Sequence, residues 1–79
     1  MVLTLYQLEG CPYCEKVVQR LDELEIDYET TWVPSLHSER ELVKQISGQR
    51  QVPVLVDEDH GVTMPESDRI LEYLDKNYA

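Results

Sequence analysis

The sequence is poor in cysteine and in positive charge. Its 79 residues hold two cysteines, Cys11 and Cys14. A single pair cannot be the framework of a small secreted fold, which uses several bridges. Seven basic residues face sixteen acidic ones, for a net charge of -9. That disfavours nucleic acid, whose phosphates need cationic partners, and it disfavours anionic membrane surfaces. The acids are spread along the chain, as on a solvated, self-repelling surface. No apolar run approaches the roughly 20 residues of a membrane span. The start, Met1-Val2-Leu3-Thr4-Leu5-Tyr6, lacks a basic stretch and a cleavage-like site, so a signal peptide is not expected. Internal repeats, linkers and long apolar edges are lacking too. With 42% hydrophobic residues the chain can bury a core. It reads as one domain, residues 1–79, monomeric and cytoplasmic.

What is present is a regular alternation of patterns. Val2 to Leu8 is rich in strand formers, and Glu9-Gly10 breaks it. Val17, Val18, Leu21 and Leu24 then recur at helical spacing. Ile26 to Val33 alternates like a strand, and Pro34 ends it. Ser38-x-x-Glu41 matches a capping box ahead of Leu42, Val43 and Ile46, with Gly48 as the stop. Val52 to Val56 is a continuous apolar run, the mark of a central strand. Asp57 to Gly61 reads as a turn, and Val62-Thr63-Met64 as a short strand. Thr63-x-x-Glu66 is a second capping box, with Pro65 near the first helical turn and Ile70, Leu71 and Leu74 as the stripe. The order is βαβαββα. It predicts an α/β fold with a mixed four-stranded sheet and helices on both faces: a parallel pair first, a hairpin later.

The two cysteines fall in Cys11-Pro12-Tyr13-Cys14, between the first strand and the first helix. A CxxC beside a βαβ pattern is the sequence signal of a thioredoxin-like redox site. A cysteine at a helix N-terminus meets unsatisfied N–H groups and the positive end of the macrodipole, and both favour thiolate. Pro12 suits the first helical position, which places Cys11 at the cap. Lys16, one turn on, adds a cation nearby. Cys14 falls one turn inside on the same side. Cys11 is therefore the expected nucleophile, Cys14 the resolving thiol, and Tyr13 a ring at the rim. A zinc site needs four ligands as a rule, and only His37 and His60 are left to complete one. No metal is expected.

These residues resemble the dithiol glutaredoxins, whose active-site string is Cys-Pro-Tyr-Cys. Gln51-Val52-Pro53 stands where that family has Thr-Val-Pro. The resemblance implies a cis Val52–Pro53 bond that turns the Val52 backbone toward the cysteines, where it can pair with a bound peptide. Met64 to Leu74 is similar instead to glutathione transferase N-terminal domains, with their Glu-Ser-x-x-Ile-x-x-Tyr-Leu stretch. There the glutamate and serine hold the γ-glutamyl end of glutathione, which implies that role for Glu66 and Ser67. Where glutaredoxins carry a lysine for the glycine carboxylate, this chain has Leu8. Arg40, Lys44 or Arg50 is left to supply that grip.

The implied activity is that of a glutaredoxin-like thiol–disulfide oxidoreductase, with no permanently bound cofactor. Its cosubstrate would be glutathione or another γ-glutamyl thiol, and its other partners disulfide-containing proteins. Two alternatives belong to other classes: an iron–sulfur-cluster module and a thiol-binding module without turnover. Conjugating transferases carry a helical second domain. The sequence ends at Ala79, so conjugation by these residues alone is not expected.

Overall fold

The computed structural model describes residues 3–34, 40–48 and 51–79. Seven elements follow in the expected order: β1 (Leu3–Gln7), α1 (Pro12–Glu23), β2 (Glu29–Trp32), α2 (Glu41–Ser47), β3 (Val54–Asp57), β4 (Val62–Pro65) and α3 (Ser67–Tyr78). The sheet runs β2-β1-β3-β4. β1 pairs in parallel with β2 and antiparallel with β3, and β3–β4 is an antiparallel hairpin.

Alternation along the strands divides the molecule into layers. Leu3 and Leu5 of β1 and Leu55 of β3 are buried with Val17 and Leu21 of α1 and with Ile70 and Leu74 of α3. Helices α1 and α3 therefore share one face of the sheet. Val54 and Val43 are buried outside that cluster. Val54 is odd in parity to Leu55, so it faces the opposite layer, where α2 lies. Each fully buried leucine contributes about 1.5–3 kcal/mol. An Arg20–Asp75 ion pair ties α1 to α3 at the surface.

Local signals set most boundaries. Cys11 is the N-cap of α1 with Pro12 behind it, and Gly48 closes α2 at φ 83° with its N–H on the Lys44 carbonyl. Helix α1 stops where Glu25 enters the left-handed region at φ 55° and Ile26 N–H bonds back to the Leu21 carbonyl. The second strand is shorter than the alternation predicts, beginning at Glu29.

One expectation is corrected. Thr63 and Glu66 do not form a capping box. Thr63 lies in β4 opposite Val56, and Pro65 ends that strand opposite Val54. Hairpin pairing claims residues that the local motif would give to a helix. The N-cap of α3 is Glu66, with no side-chain cap bond. The first box rests on Ser38, which lies outside the described residues; α2 itself starts after Arg40. Among the described residues, no helix is long and apolar enough to cross a membrane.

Candidate functional site

The β1–α1 connection, the segment before β3 and the start of α3 meet along a cleft of about 540 Å³. Gly10, at φ 76°, makes the turn that leads into Cys11, whose N–H donates to the Leu8 carbonyl at 3.2 Å. Cys11 has the extended backbone of an N-cap residue (φ -85°, ψ 116°). Its Sγ accepts from the Cys14 N–H at 3.4 Å. A helix amide thus points at the sulfur.

The two thiols differ in surroundings. Both are free, but Cys11 is half-buried on the cleft wall, and Cys14 is buried completely behind it. Burial pushes the Cys14 thiol up to about 12, and its hydrogen bond to Cys11 acts in the same sense. A backbone hydrogen bond to Leu8 and the Arg40 charge oppose this without overcoming it. Cys14 is therefore protonated at neutral pH and inaccessible. The sulfur that a substrate can reach is Cys11.

Around Cys11 the cleft collects residues distant in sequence. Tyr13, Arg40, Gln51, Val52, Pro53, Glu66 and Ser67 all line it. The Val52–Pro53 bond is cis. Tyr13 is an exposed ring with the Lys16 ammonium 5.7 Å from its centroid. Arg40 is a buried guanidinium whose Nε donates to the Pro34 carbonyl at 2.7 Å, fixing the chain after β2. Ser67 is buried at the first turn of α3. Glu66 sits at φ 72° and its carboxylate lies 3.4 Å from Arg69 Nε. Such a backbone costs a residue with a Cβ about 1–3 kcal/mol and is found mostly where function needs it.

Of the described residues singled out as site candidates, Cys14, Lys16 and Lys44 do not line the cleft. Two lining residues were not proposed as contacts, Leu8 and Asp68. Asp68 had a signal, since it continues the Glu66-Ser67 segment into the first turn of α3. Arg50 and His37 lie outside the described residues.

The model of the glutathione S-transferase N-terminal domain matches residues 5–79. The chain belongs to that family. Solved structures agree. A glutathione S-transferase from the Antarctic clam Laternula elliptica is 31% identical, with a TM-score of 0.86. It covers 99% of this chain, which spans 36% of its length. A diazinon-metabolizing glutathione S-transferase of the silkworm Bombyx mori is 34% identical, with a TM-score of 0.87 over 99% of this chain and 39% of its own. Glutaredoxin 2 from Salmonella typhimurium, solved in complex with glutathione, is 27% identical, with a TM-score of 0.80 over 92% of this chain and 32% of its own. The fold is therefore thioredoxin-like, and the chain spans 32–39% of the length of these proteins. No curated protein sequence matches it.

Proposed function

We propose that residues 1–79 form a glutaredoxin-type thiol–disulfide oxidoreductase domain that uses glutathione or a related γ-glutamyl thiol. One observation carries this reading. Cys11 sits at a helix N-terminus on a cleft wall, with the second thiol held protonated directly behind it. Glutathione-bound neighbours support the choice of thiol.

The steps follow from that geometry. The Cys11 thiolate attacks one sulfur of a substrate disulfide. The substrate S–S bond breaks, a Cys11–substrate disulfide forms, and the other half leaves as a thiolate that takes a proton. Cys14 then gives up its proton and attacks Cys11 Sγ. The substrate leaves as its second thiol, and Cys11–Cys14 becomes a disulfide. Two molecules of the small thiol reduce it, ending as their own disulfide. Val52 and Pro53 line the wall where a peptide backbone would lie. Glu66 and Ser67 hold the amino-acid end of the thiol, with the α3 amides beside its carboxylate. Arg40 offers the only positive charge among the described lining residues. A reducing cytoplasm and a monomeric state suit this cycle.

The test is reduction of a mixed disulfide by purified protein with glutathione and with γ-glutamylcysteine. Cys14→Ser should keep the route that needs one thiol, and at neutral pH iodoacetamide should label Cys11 first. Labelling at Cys14 first would sink the assignment of roles.

The family match favours a second reading, in which the domain is the thiol-binding part of a conjugating transferase. Conjugation of glutathione to an aryl chloride, measured beside disulfide reduction, separates the two. Conjugation that survives Cys11→Ala would favour the transferase.

A further inference from the structure

A second groove lies on the other side of the β1–α1 connection, between α1 and the edge strand β2. Its volume is about 510 Å³. Leu8, Val18, Tyr28 and Trp32 supply its apolar surface. Trp32 is 62% exposed; with Tyr13 it is one of two large hydrophobic side chains left outside among the described residues. Gln7 Nε2 donates to Thr30 Oγ1 at 3.1 Å and holds the floor of the groove to the edge strand. Around the apolar surface stand three exposed carboxylates, Glu9, Glu15 and Asp22. Among the described residues, no lysine, arginine or histidine lines the groove. Burial, and then the Asp22 carboxylate, push the Tyr28 hydroxyl up, so the negative field reaches the apolar surface.

An indole ringed by acids, with no cation among the described lining residues, is complementary to one kind of partner. Guanidinium and ammonium groups are attracted by the carboxylates and stack over the indole face, while neighbouring aliphatic side chains cover Leu8 and Val18. Leu8 also lines the cleft that holds Cys11, so the groove and the thiol site share a wall. We infer that this groove docks a cationic segment of the disulfide-bearing protein that Cys11 attacks. The inference rests on the oxidoreductase reading for what the docking accomplishes, and on the groove itself for the docking.

Two measurements keep those parts separate. Trp32 is the single tryptophan of the chain, so its fluorescence reports on the groove without any chemistry. The probe is a short cysteine-free peptide of arginine, leucine and serine, compared with its counterpart carrying glutamate for arginine. The basic peptide should shift the emission, and its binding should weaken about tenfold from low to physiological salt. Glu9→Gln with Asp22→Asn should weaken it by a similar factor. Should that pair fail to fold, Glu9→Lys on the exposed turn takes its place. Equal response to both peptides, or unchanged binding in the variant, overturns the docking site. The second measurement compares reduction of a small uncharged disulfide with that of peptide disulfides flanked by arginine or by glutamate. The basic substrate should be favoured about tenfold in kcat/KM, and the variant should lose that preference while reducing the small disulfide normally. No reduction of the small disulfide removes the oxidoreductase reading and leaves the fluorescence result standing. Equal rates on the two peptides overturn the link between groove and catalysis.

Discussion

The two ends of helix α3 are built on opposite terms. At its N-terminus Glu66 holds a strained backbone with no side-chain cap, and Ser67 is buried beside an open cleft. In its C-terminal half two tyrosine hydroxyls are held by one carboxylate. Asp57, fully buried at the end of β3, accepts from Tyr73 Oη at 2.7 Å and from Tyr78 Oη, and pairs with His60 Nδ1 at 2.8 Å. The three rings also meet edge to face. One end leaves helix amides free for a ligand. The other closes its hydrogen bonds and fastens the helix to the sheet. Strain and open donors mark the end proposed to bind the thiol; completed bonds mark the end that supports.

This contrast can be broken by substitution. The largest effect is on activity: Cys11→Ser should reduce disulfide turnover to background with an unchanged melting temperature. Asp57→Asn should do the reverse. It leaves the Tyr73, Tyr78 and His60 donors with an incomplete acceptor and should lower stability by about 1–2 kcal/mol, while turnover well below the melting temperature persists. A stable Asp57→Asn protein with lost turnover would merge the two ends into one site.

Titration sharpens the same contrast. Burial pushes the Asp57 carboxyl up, yet the hydrogen bonds from Tyr78, Tyr73 and His60 outweigh it and leave it below its ordinary value. A depressed carboxyl stabilises the fold above its unfolded pKa of about 3.9, and that stability is lost as pH falls through the folded value. Burial, followed by the Asp57 charge, pushes the Tyr73 hydroxyl upward and that of Tyr78 up to about 12. Raised tyrosines stabilise fully below about pH 10, and this is lost as pH rises toward the folded values. Unfolding monitored by circular dichroism should show a plateau between about pH 4 and pH 10 with both shoulders present. In Asp57→Asn the acid shoulder should shrink, and an unchanged one would remove Asp57 as its source.

Smaller effects should come from single groups. Glu66→Gly should relieve the strain at φ 72°, stabilise by about 1 kcal/mol, and raise KM for the thiol several-fold. Tyr78→Phe removes one donor from Asp57 and should cost about 1 kcal/mol without altering KM. A KM change in Tyr78→Phe as large as that in Glu66→Gly would mean the ends are not independent.

Much of this was legible in the residues. Periodicity gave the βαβαββα order, because strand and helix patterns alternate cleanly and glycine or proline separates them. The cleft was legible where motifs are local: Cys11 to Cys14, Gln51 to Pro53, and Glu66 with Ser67. The Thr63 motif misled because strand pairing with Val56 is a contact between chain segments, which no local pattern records. Asp57 was read as part of a turn, since its partners lie 16 and 21 residues away. A signal existed. Asp57 shares parity with Leu55, and Tyr73 and Tyr78 fall on the stripe of Ile70 and Leu74, so all face the same core.

Leu8 has a consequence beyond its place in either wall. It belongs at once to the cavity beside the reactive sulfur and to the acidic groove. A lysine there would give a carboxylate grip to the first and neutralise the second. A smaller residue would widen both. The two surfaces therefore cannot be tuned separately at this position: whatever is gained in holding a small molecule is charged against the recognition of a large one.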